Sequence, residues 1–371
     1  MYIISILTFW LLLVPSIVGT EPPTPDLKIE KLFLFKEAPG KGNCGDHFPN
    51  PLGKFLTESR AMVDAGLQAL THAADPSSKE SKIAQRYLKS YFGVKIGDEK
   101  SGLIKKNLEA VQNFMKGNSK HERTPRLYCD DTWLERLSRT NAAWNTEEGT
   151  EGSRKEIMEE GPNGLVHKKI EDIKDYRPFL FTEDEKTGQY VSNGNAPYWS
   201  DDLHEYVFQE DYGDKSYCTK PGLDGKTNLA GTQDQSEPST VTLCPLSFSN
   251  PQAIDSLGSK TPTAGMSIPE FLPKSATFYH ELFHLAIDVL TTPDPFYSWK
   301  EIQAVLKKPT GRPRKYAPLN NHNLVCQNPE TYVFFSVGYW NFLQTNWNDK
   351  QSNANKRWSF QSGVAQLVQI D

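Results

Sequence analysis

The sequence is poor in cysteine, and no two cysteines are spaced as a CxxC pair. This absence argues against a zinc site built from cysteine thiolates. The five cysteines are Cys44, Cys129, Cys218, Cys244 and Cys326. In an oxidising compartment an even subset of them is expected to pair in disulfides, which leaves one thiol over.

The chain also lacks an excess of positive charge. Lysine and arginine number 41 against 46 aspartates and glutamates, which gives a formal net charge of -5. A protein with this balance has no overall field that attracts a polyanion. Neither an Asn-x-Ser/Thr sequon nor a repeat of solenoid or propeller period is present. We therefore expect no nucleic-acid partner, no N-glycosylation and no repeat architecture.

Long apolar runs are missing except at the amino terminus. Residues 3–15 form one apolar run, and the small residues Val18 and Gly19 follow it. The run is shorter than the about 20 apolar residues that a membrane-spanning helix needs. It is typical of a secretory signal peptide, which we place at residues 1–20. We expect a secreted, extracellular product without a membrane span, which begins with an N-terminal linker at residues 21–40.

The rest of the chain has a globular composition, with 37% apolar and 11% aromatic residues. Apolar residues recur with helical spacing at residues 58–70, 103–115 and 275–290, and a further helix is predicted from about Pro329. The β-branched alternation at residues 240–243 predicts an edge or near-edge strand.

Changes in composition predict how the chain is organised. Between residues 130 and 217, charged residues, glycines and prolines interrupt the apolar pattern. This change indicates a long, partly irregular insertion. The insertion divides a domain predicted over residues 41–345, and residues 346–371 are predicted to form a C-terminal tail.

The segment HELFH at residues 280–284 matches the HExxH pattern inside the predicted helix 275–290. Four residues are a little more than one helical turn, so both imidazoles emerge from one face and can bind one ion. Glu281 lies one position round the helix, where its carboxylate can act as a general base on water. The pattern predicts that His280 and His284 bind Zn²⁺; the alternative is an incidental pair of partly buried histidines.

A catalytic zinc site needs a third protein ligand and one open position. Asp288 lies on the same helical stripe, but about 12 Å along the helix axis from His280, which is too far for one ion. The chain turns at residues 291–293, and Asp294 follows the turn. Asp294 is the preferred third ligand, and Glu301 remains the alternative because some zinc peptidases take a glutamate from the following helix.

The motif and the residues after it resemble a known family. HELFH followed by Thr292-Pro293-Asp294 and Tyr297 is similar to the HExxH plus GTxDxxY pattern of the deuterolysin-like aspzincins, which include the lysine-specific metalloendopeptidases of fungi. Outside the insertion, the resemblance extends over residues 41–345. It includes, in order, Cys44, Arg86-Tyr87, Tyr91-Phe92-Gly93, Cys129, Cys218, Val241-Thr242-Leu243-Cys244-Pro245, Asn328-Pro329-Glu330-Thr331-Tyr332 and Phe334-Phe335.

The resemblance implies a zincin-like α+β fold that is mainly helical with a small sheet. It implies a secreted zinc-dependent endopeptidase that acts on peptide or protein substrates, and we expect a monomer. In such an enzyme Glu281 is the catalytic base and Tyr297 donates a hydrogen bond to the developing oxyanion. Glu330 matches a position that selects a cationic substrate residue, although it can equally serve as a carboxylate at a helix N-terminus.

The disulfides implied by the resemblance join Cys44 to Cys129 and Cys218 to Cys244, and they leave Cys326 unpaired. The sequence departs from the family where Thr291 replaces the glycine of GTxDxxY and where Ser298 replaces the glycine that follows the tyrosine. The predicted insertion is also longer than in compact members.

A second function class is a secreted zinc-binding or surface-antigen protein that keeps the metal site without peptidase turnover. Relatives of that description carry extra cysteines and a histidine-rich tail, and the last 25 residues here contain neither residue type. Retention of Glu281 and Tyr297 favours the peptidase.

Overall fold

The computed structural model of the protein describes residues 27–146, 154–220, 227–306, 321–345, 347 and 355–370, with the side chains of residues 321 and 322 left out. The predicted signal peptide at residues 1–20 lies outside the described residues. Helices and small sheets occur together in the described chain, whose class is therefore α+β.

Most helices lie outside the insertion at residues 130–217; the described residues outside it are called the main domain below. The helices are α1 (Leu52–Ala74), α2 (Ser81–Tyr91), α3 (Glu99–Met115), α4 (Arg177–Leu180), α5 (Pro245–Ser249), α6 (Ser275–Ala286), α7 (Trp299–Leu306), α8 (Asn321–Gln327) and α9 (Pro329–Leu343). The helices predicted at residues 58–70 and 103–115 are confirmed as parts of α1 and α3.

Helix α1 is the central packing element of the main domain and contacts α2, α3, α6 and α9. Its buried side chains recur with helical spacing, as at Phe55, Ser59 and Met62. At Gly66 a Cβ atom would lie 2.9 Å from Ser336 Oγ on α9 and 3.1 Å from a methyl carbon of Leu108 on α3. The glycine thus allows α9 and α3 to approach α1 closely.

Helix α6, the helix of the HExxH segment, is shorter than its predicted range of residues 275–290. It ends at Ala286, and Leu290 is 85% exposed. The backbone N–H of Val289 donates to the Asp234 carboxylate at 2.8 Å, and that of Thr292 donates to the carbonyl of Asp288 at 3.1 Å. These hydrogen bonds replace the helical ladder and turn the chain back toward the helix.

The strands are short and form several small sheets. They are β1 (Arg126–Tyr128), β2 (Leu134–Arg136), β3 (Met158–Gly161), β4 (Gly164–His167), β5 (Phe181–Glu183), β6 (Tyr190–Ser192), β7 (Asn195–Ser200), β8 (Glu205–Glu210), β9 (Ala230–Gln233), β10 (Thr240–Leu243), β11 (Lys356–Ser359) and β12 (Gln366–Gln369).

The sheet of the main domain has the order β1-β10-β9, with β1 parallel and β9 antiparallel to β10. The strand predicted at residues 240–243, at or next to a sheet edge, is therefore confirmed, and it is the middle strand between the two edge strands. All four residues of β10 are buried, because the strand lies between two neighbours. Among the described strands, none pairs with the outer edge of β9.

The insertion contains more regular structure than its composition predicts. Its sheet has the order β2-β7-β8, and two further hairpins pair β3 with β4 and β5 with β6. The insertion packs on the main sheet through Trp133, whose ring stacks on Tyr128 at 4.1 Å and whose Nε1 donates to Thr242 Oγ1 at 3.1 Å.

The expected linker and tail take part in the main core. Ile29, Leu32 and Phe33 are buried there, although residues 21–40 were expected to be a linker. Phe360 is buried too, and its carbonyl accepts a hydrogen bond from Tyr91 Oη at 2.8 Å. Strands β11 and β12 form a hairpin, so residues 355–370 extend the domain instead of trailing from it. Apolar side chains in both segments explain this packing.

Two disulfides are formed, between Cys44 and Cys129 and between Cys218 and Cys244. This is the pairing that the resemblance implies, and Cys326 is a buried free thiol. In the part of the chain that the structure describes, no helix has the length and apolar character needed to cross a membrane.

Candidate metal centre

Helix α6 presents His280 and His284 side by side. The two residues are four apart, and their Nε2 atoms lie 3.2 Å from each other. His280 is 7% exposed and His284 is 4% exposed. Two buried ring nitrogens at this distance cannot both carry a proton without repulsion, so the arrangement favours a shared cation.

Asp294 reaches the same point from the chain beyond α6. Its Oδ1 lies 3.1 Å from His280 Nε2, and its Oδ2 lies 2.9 Å from His284 Nε2. The ligand atoms of the three residues all lie within 4.8 Å of one another. The group of His280, His284 and Asp294 could therefore hold a metal ion.

Asp288 and Glu301, the other acidic residues considered, have local roles. Asp288 Oδ1 accepts a hydrogen bond from Thr291 N at 2.6 Å and shapes the turn after α6. Glu301 Oε2 accepts hydrogen bonds from the backbone N–H groups of Tyr297 and Ser298 at 3.2 and 3.0 Å, ahead of α7. Neither residue belongs to the group that could hold a metal ion.

The electrostatics of the three residues fit a bound cation. Asp294 Oδ1 is buried and makes no hydrogen bond of acceptable geometry, although His280 Nε2 is near. Burial alone would lower the pKa of His280, but Asp294 and Glu330 raise it well above its usual value. The pKa of Asp294 is lowered by His280 and His284 despite burial. The positive charge that these groups favour can be a proton or a metal cation.

The Nδ1 atom of each imidazole, on the side away from Asp294, contacts a further side chain. His280 Nδ1 lies 3.2 Å from Oε2 of Glu330, a residue in the first turn of α9, and the carboxylate accepts a hydrogen bond from the Nδ1–H group. His284 Nδ1 lies 2.9 Å from Thr292 Oγ1, whose own hydrogen goes to the carbonyl of Asp288. Both Nδ1 atoms therefore act as donors, and the lone pairs of both Nε2 atoms stay available for a metal.

These two partners were not identified as such from the sequence. Thr292 is part of the TxDxxY segment, so the motif contained the residue without revealing its contact. Glu330 was expected either to bind substrate or to serve as a carboxylate at a helix N-terminus; it lies in the first turn of α9, and its carboxylate contacts His280. The 50 positions that separate Glu330 from His280 hide this contact from any local pattern.

Glu281 contacts the neighbouring strand β9. Its Oε2 accepts a hydrogen bond from Thr232 Oγ1 on β9 at 2.8 Å, and the residue is 5% exposed. Thr232 is a further residue of the site that sequence patterns missed. Its hydroxyl holds the Glu281 carboxylate beside the outer edge of β9.

Tyr297 lies over the site from the open side. Its ring is nearly parallel to that of His280, at 16° with centroids 6.4 Å apart, and the residue is 58% exposed. Local burial of the hydroxyl end, together with the charges of Asp294 and Glu281, raises the pKa of Tyr297. The phenol thus stays protonated and can donate a hydrogen bond toward the site.

Comparisons with known protein families, with curated proteins and with solved structures find no significant match to this chain. The arrangement of the side chains therefore carries the functional argument.

Proposed function

We propose that the protein is a secreted zinc-dependent endopeptidase with a zincin-like fold, similar to the deuterolysin-like aspzincins. The observation that carries the proposal is the convergence of His280 Nε2, His284 Nε2 and the Asp294 carboxylate, with Glu281 next to them on α6. The two disulfides support an oxidising, extracellular location.

The donor set favours zinc among the common metals. Two imidazole nitrogens and one carboxylate suit Zn²⁺, whereas Mg²⁺ and Ca²⁺ prefer oxygen ligands alone. Three protein ligands leave a fourth position for water or substrate, as catalytic zinc sites require. When bound, zinc would act as a Lewis acid toward a peptide carbonyl and would lower the pKa of a water molecule at the open position.

The residues around the site can carry the proton transfers of peptide hydrolysis. Glu281, oriented by Thr232, takes a proton from the attacking water and delivers it to the leaving amine. Tyr297, whose phenol stays protonated, donates a hydrogen bond to the oxygen that becomes negative in the transition state.

At Thr232 the outer edge of β9 offers a binding place for an extended peptide, whereas further along this edge the carbonyl of Ala230 already accepts a hydrogen bond from Tyr217 Oη. The N–H of Cys244 donates to the carbonyl of Leu229 at 2.8 Å, and hydrogen-bonded pairs alternate along an antiparallel ladder. The backbone N–H and C=O of Thr232 therefore point away from β10. A peptide that adds to this edge would lie beside Glu281, which Thr232 contacts directly.

Metal analysis and peptide digestion test the proposal. The purified protein is expected to contain one zinc per chain, and to cleave a diverse peptide library until a chelator removes the metal. Zinc content without cleavage of any peptide would favour the zinc-binding protein without turnover. Absence of zinc, together with no binding of added zinc, would overturn both functions.

A further inference from the structure

A cavity of about 220 Å³ lies between the insertion and the chain that runs from the last residue of β9 into the segment after it. One side of it is formed by Gln233, Gln235 and Ser236, and Gln233 is the residue directly after Thr232. Hydrogen bonds join the insertion to this part of the chain. Gln233 Nε2 donates to Gln209 Oε1 at 3.2 Å, and the N–H of Glu237 donates to Glu205 Oε2 at 3.2 Å.

Aromatic rings of the insertion form the other wall. The centroid of Tyr176 lies 5.2 Å from that of Tyr206 and 5.1 Å from that of Phe208. Phe179 stacks on Phe208 at 5.3 Å. Such a wall accommodates the aliphatic part of a long side chain, and the ring faces attract a cation.

The charges at the cavity have one sign. Asp175 and Glu205 are the charged members of its described lining, and no lysine or arginine belongs to that lining. Burial and the charge of Glu237 raise the pKa of Glu205, and the hydrogen bond from the Glu237 N–H and the charge of Arg123 offset this only in part. A cationic group that enters the cavity would stabilise the ionised form of both carboxylates.

We infer that this cavity is a substrate subsite that takes the side chain of a lysine or arginine on the N-terminal side of the cleaved bond. A peptide paired antiparallel with the outer edge of β9 runs opposite to that strand, so its N-terminal residues lie toward the carboxyl end of β9, where Gln233, Gln235 and Ser236 line the cavity. The cavity is smaller than the 300–1,000 Å³ usual for sites of whole small molecules, which fits a single side chain.

The inference rests on the proposed peptidase function. Two measurements distinguish failure of the subsite from failure of that function. The first is the ratio of kcat/KM for a peptide with one lysine to kcat/KM for the same peptide with norleucine in place of that lysine. The ratio is measured with the lysine at each position before the cleaved bond in turn. The second is the ratio of Kd for the same fluorescein-labelled pair, measured by anisotropy on the zinc-loaded Glu281→Gln variant.

The parent protein is expected to prefer lysine at one such position, and Glu205→Gln is expected to reduce the preference about tenfold, because it removes a charged hydrogen-bond acceptor. The glutamine keeps an oxygen for the N–H of Glu237, and the lysine-to-norleucine ratio cancels any effect of the substitution on cleavage in general. Glu210→Gln is the matched control, since Glu210 lies on the same strand but pairs with Lys220 at 2.9 Å.

A parent protein without a lysine preference before the cleaved bond, or a preference that Glu205→Gln leaves intact, would overturn the subsite. Failure to cleave any peptide would instead count against the peptidase. In that case the anisotropy ratio decides: loss of the lysine preference in Glu205→Gln supports the subsite, and an unchanged or absent preference overturns it.

Discussion

The main domain and the insertion are built differently, although both contribute to the region around β9. The main domain has one continuous apolar core that extends from Ile29 to Ile370 and includes α6. The insertion has one small apolar cluster of its own and shares a second with Tyr128 of β1, and Met158, Leu165 and Val166 on its β3–β4 hairpin are exposed. The comparison shows that the candidate metal centre is built on one large apolar core, whereas the cavity lies at the boundary between the main domain and the smaller insertion.

The largest effect is expected on the rate of the proposed peptide hydrolysis, because the candidate catalytic residues lie in the main domain. Glu281→Gln should lower the rate of peptide hydrolysis about 10²–10⁴-fold, because the amide cannot accept the proton. Zinc content should remain as in the parent, since Glu281 is outside the candidate ligand group. Steady-state kinetics and metal analysis give the two readings, with Glu301→Gln as the control. Hydrolysis at the parent rate would remove Glu281 as the base.

The two cores should respond separately to cavity-forming substitutions. Leu108 in the main core and Leu180 in the insertion are both fully buried, and replacing either by alanine should cost about 2–5 kcal/mol. Hydrogen exchange should accelerate in α1, α3, α6 and α9 for Leu108→Ala, but only within residues 130–217 for Leu180→Ala. If Leu180→Ala accelerated exchange in α6 equally, the two units would not be separate.

A smaller effect is expected on zinc affinity when the side chains that contact the imidazole Nδ1 atoms are changed. Glu330→Gln and Thr292→Val each disturb a partner of an imidazole Nδ1, and each should weaken zinc binding about 10–100-fold. Chelator competition measures this affinity, and Glu301→Gln again provides the control. A Glu330→Gln variant with unchanged zinc affinity but an altered preference for cationic substrates would restore the substrate-binding role that the resemblance implies.

The smallest effect is expected at the surface of the insertion. Arg154 Nη2 lies 2.5 Å from Glu135 Oε2 and 3.0 Å from Asp201 Oδ2, and the guanidinium lies 4.4 Å from the centre of the Trp144 ring. These groups are partly exposed, so Arg154→Met should lower the free energy of unfolding by about 1 kcal/mol or less. Urea denaturation at low and high salt measures it, and a cost of several kcal/mol would show that the insertion depends on this network.

Local patterns predicted the parts of the site that are close in the chain. HELFH placed two imidazoles on one helical face because the helix repeats every 3.6 residues. The break after α6 pointed to Asp294, and the structure brings that residue to both imidazoles. Thr232, Glu330 and the internal position of β10 could not be read from local patterns, because each depends on elements that are distant in the sequence.

By itself, the sequence determined a helix with two neighbouring imidazoles and a returning carboxylate, since helical repeat and turn formation are local properties. The tertiary structure alone decided which groups hold those imidazoles from behind, which strand edge lies beside Glu281, and which unit closes the cavity at its end. The physical reason is that such contacts arise when apolar faces far apart in the chain are buried together.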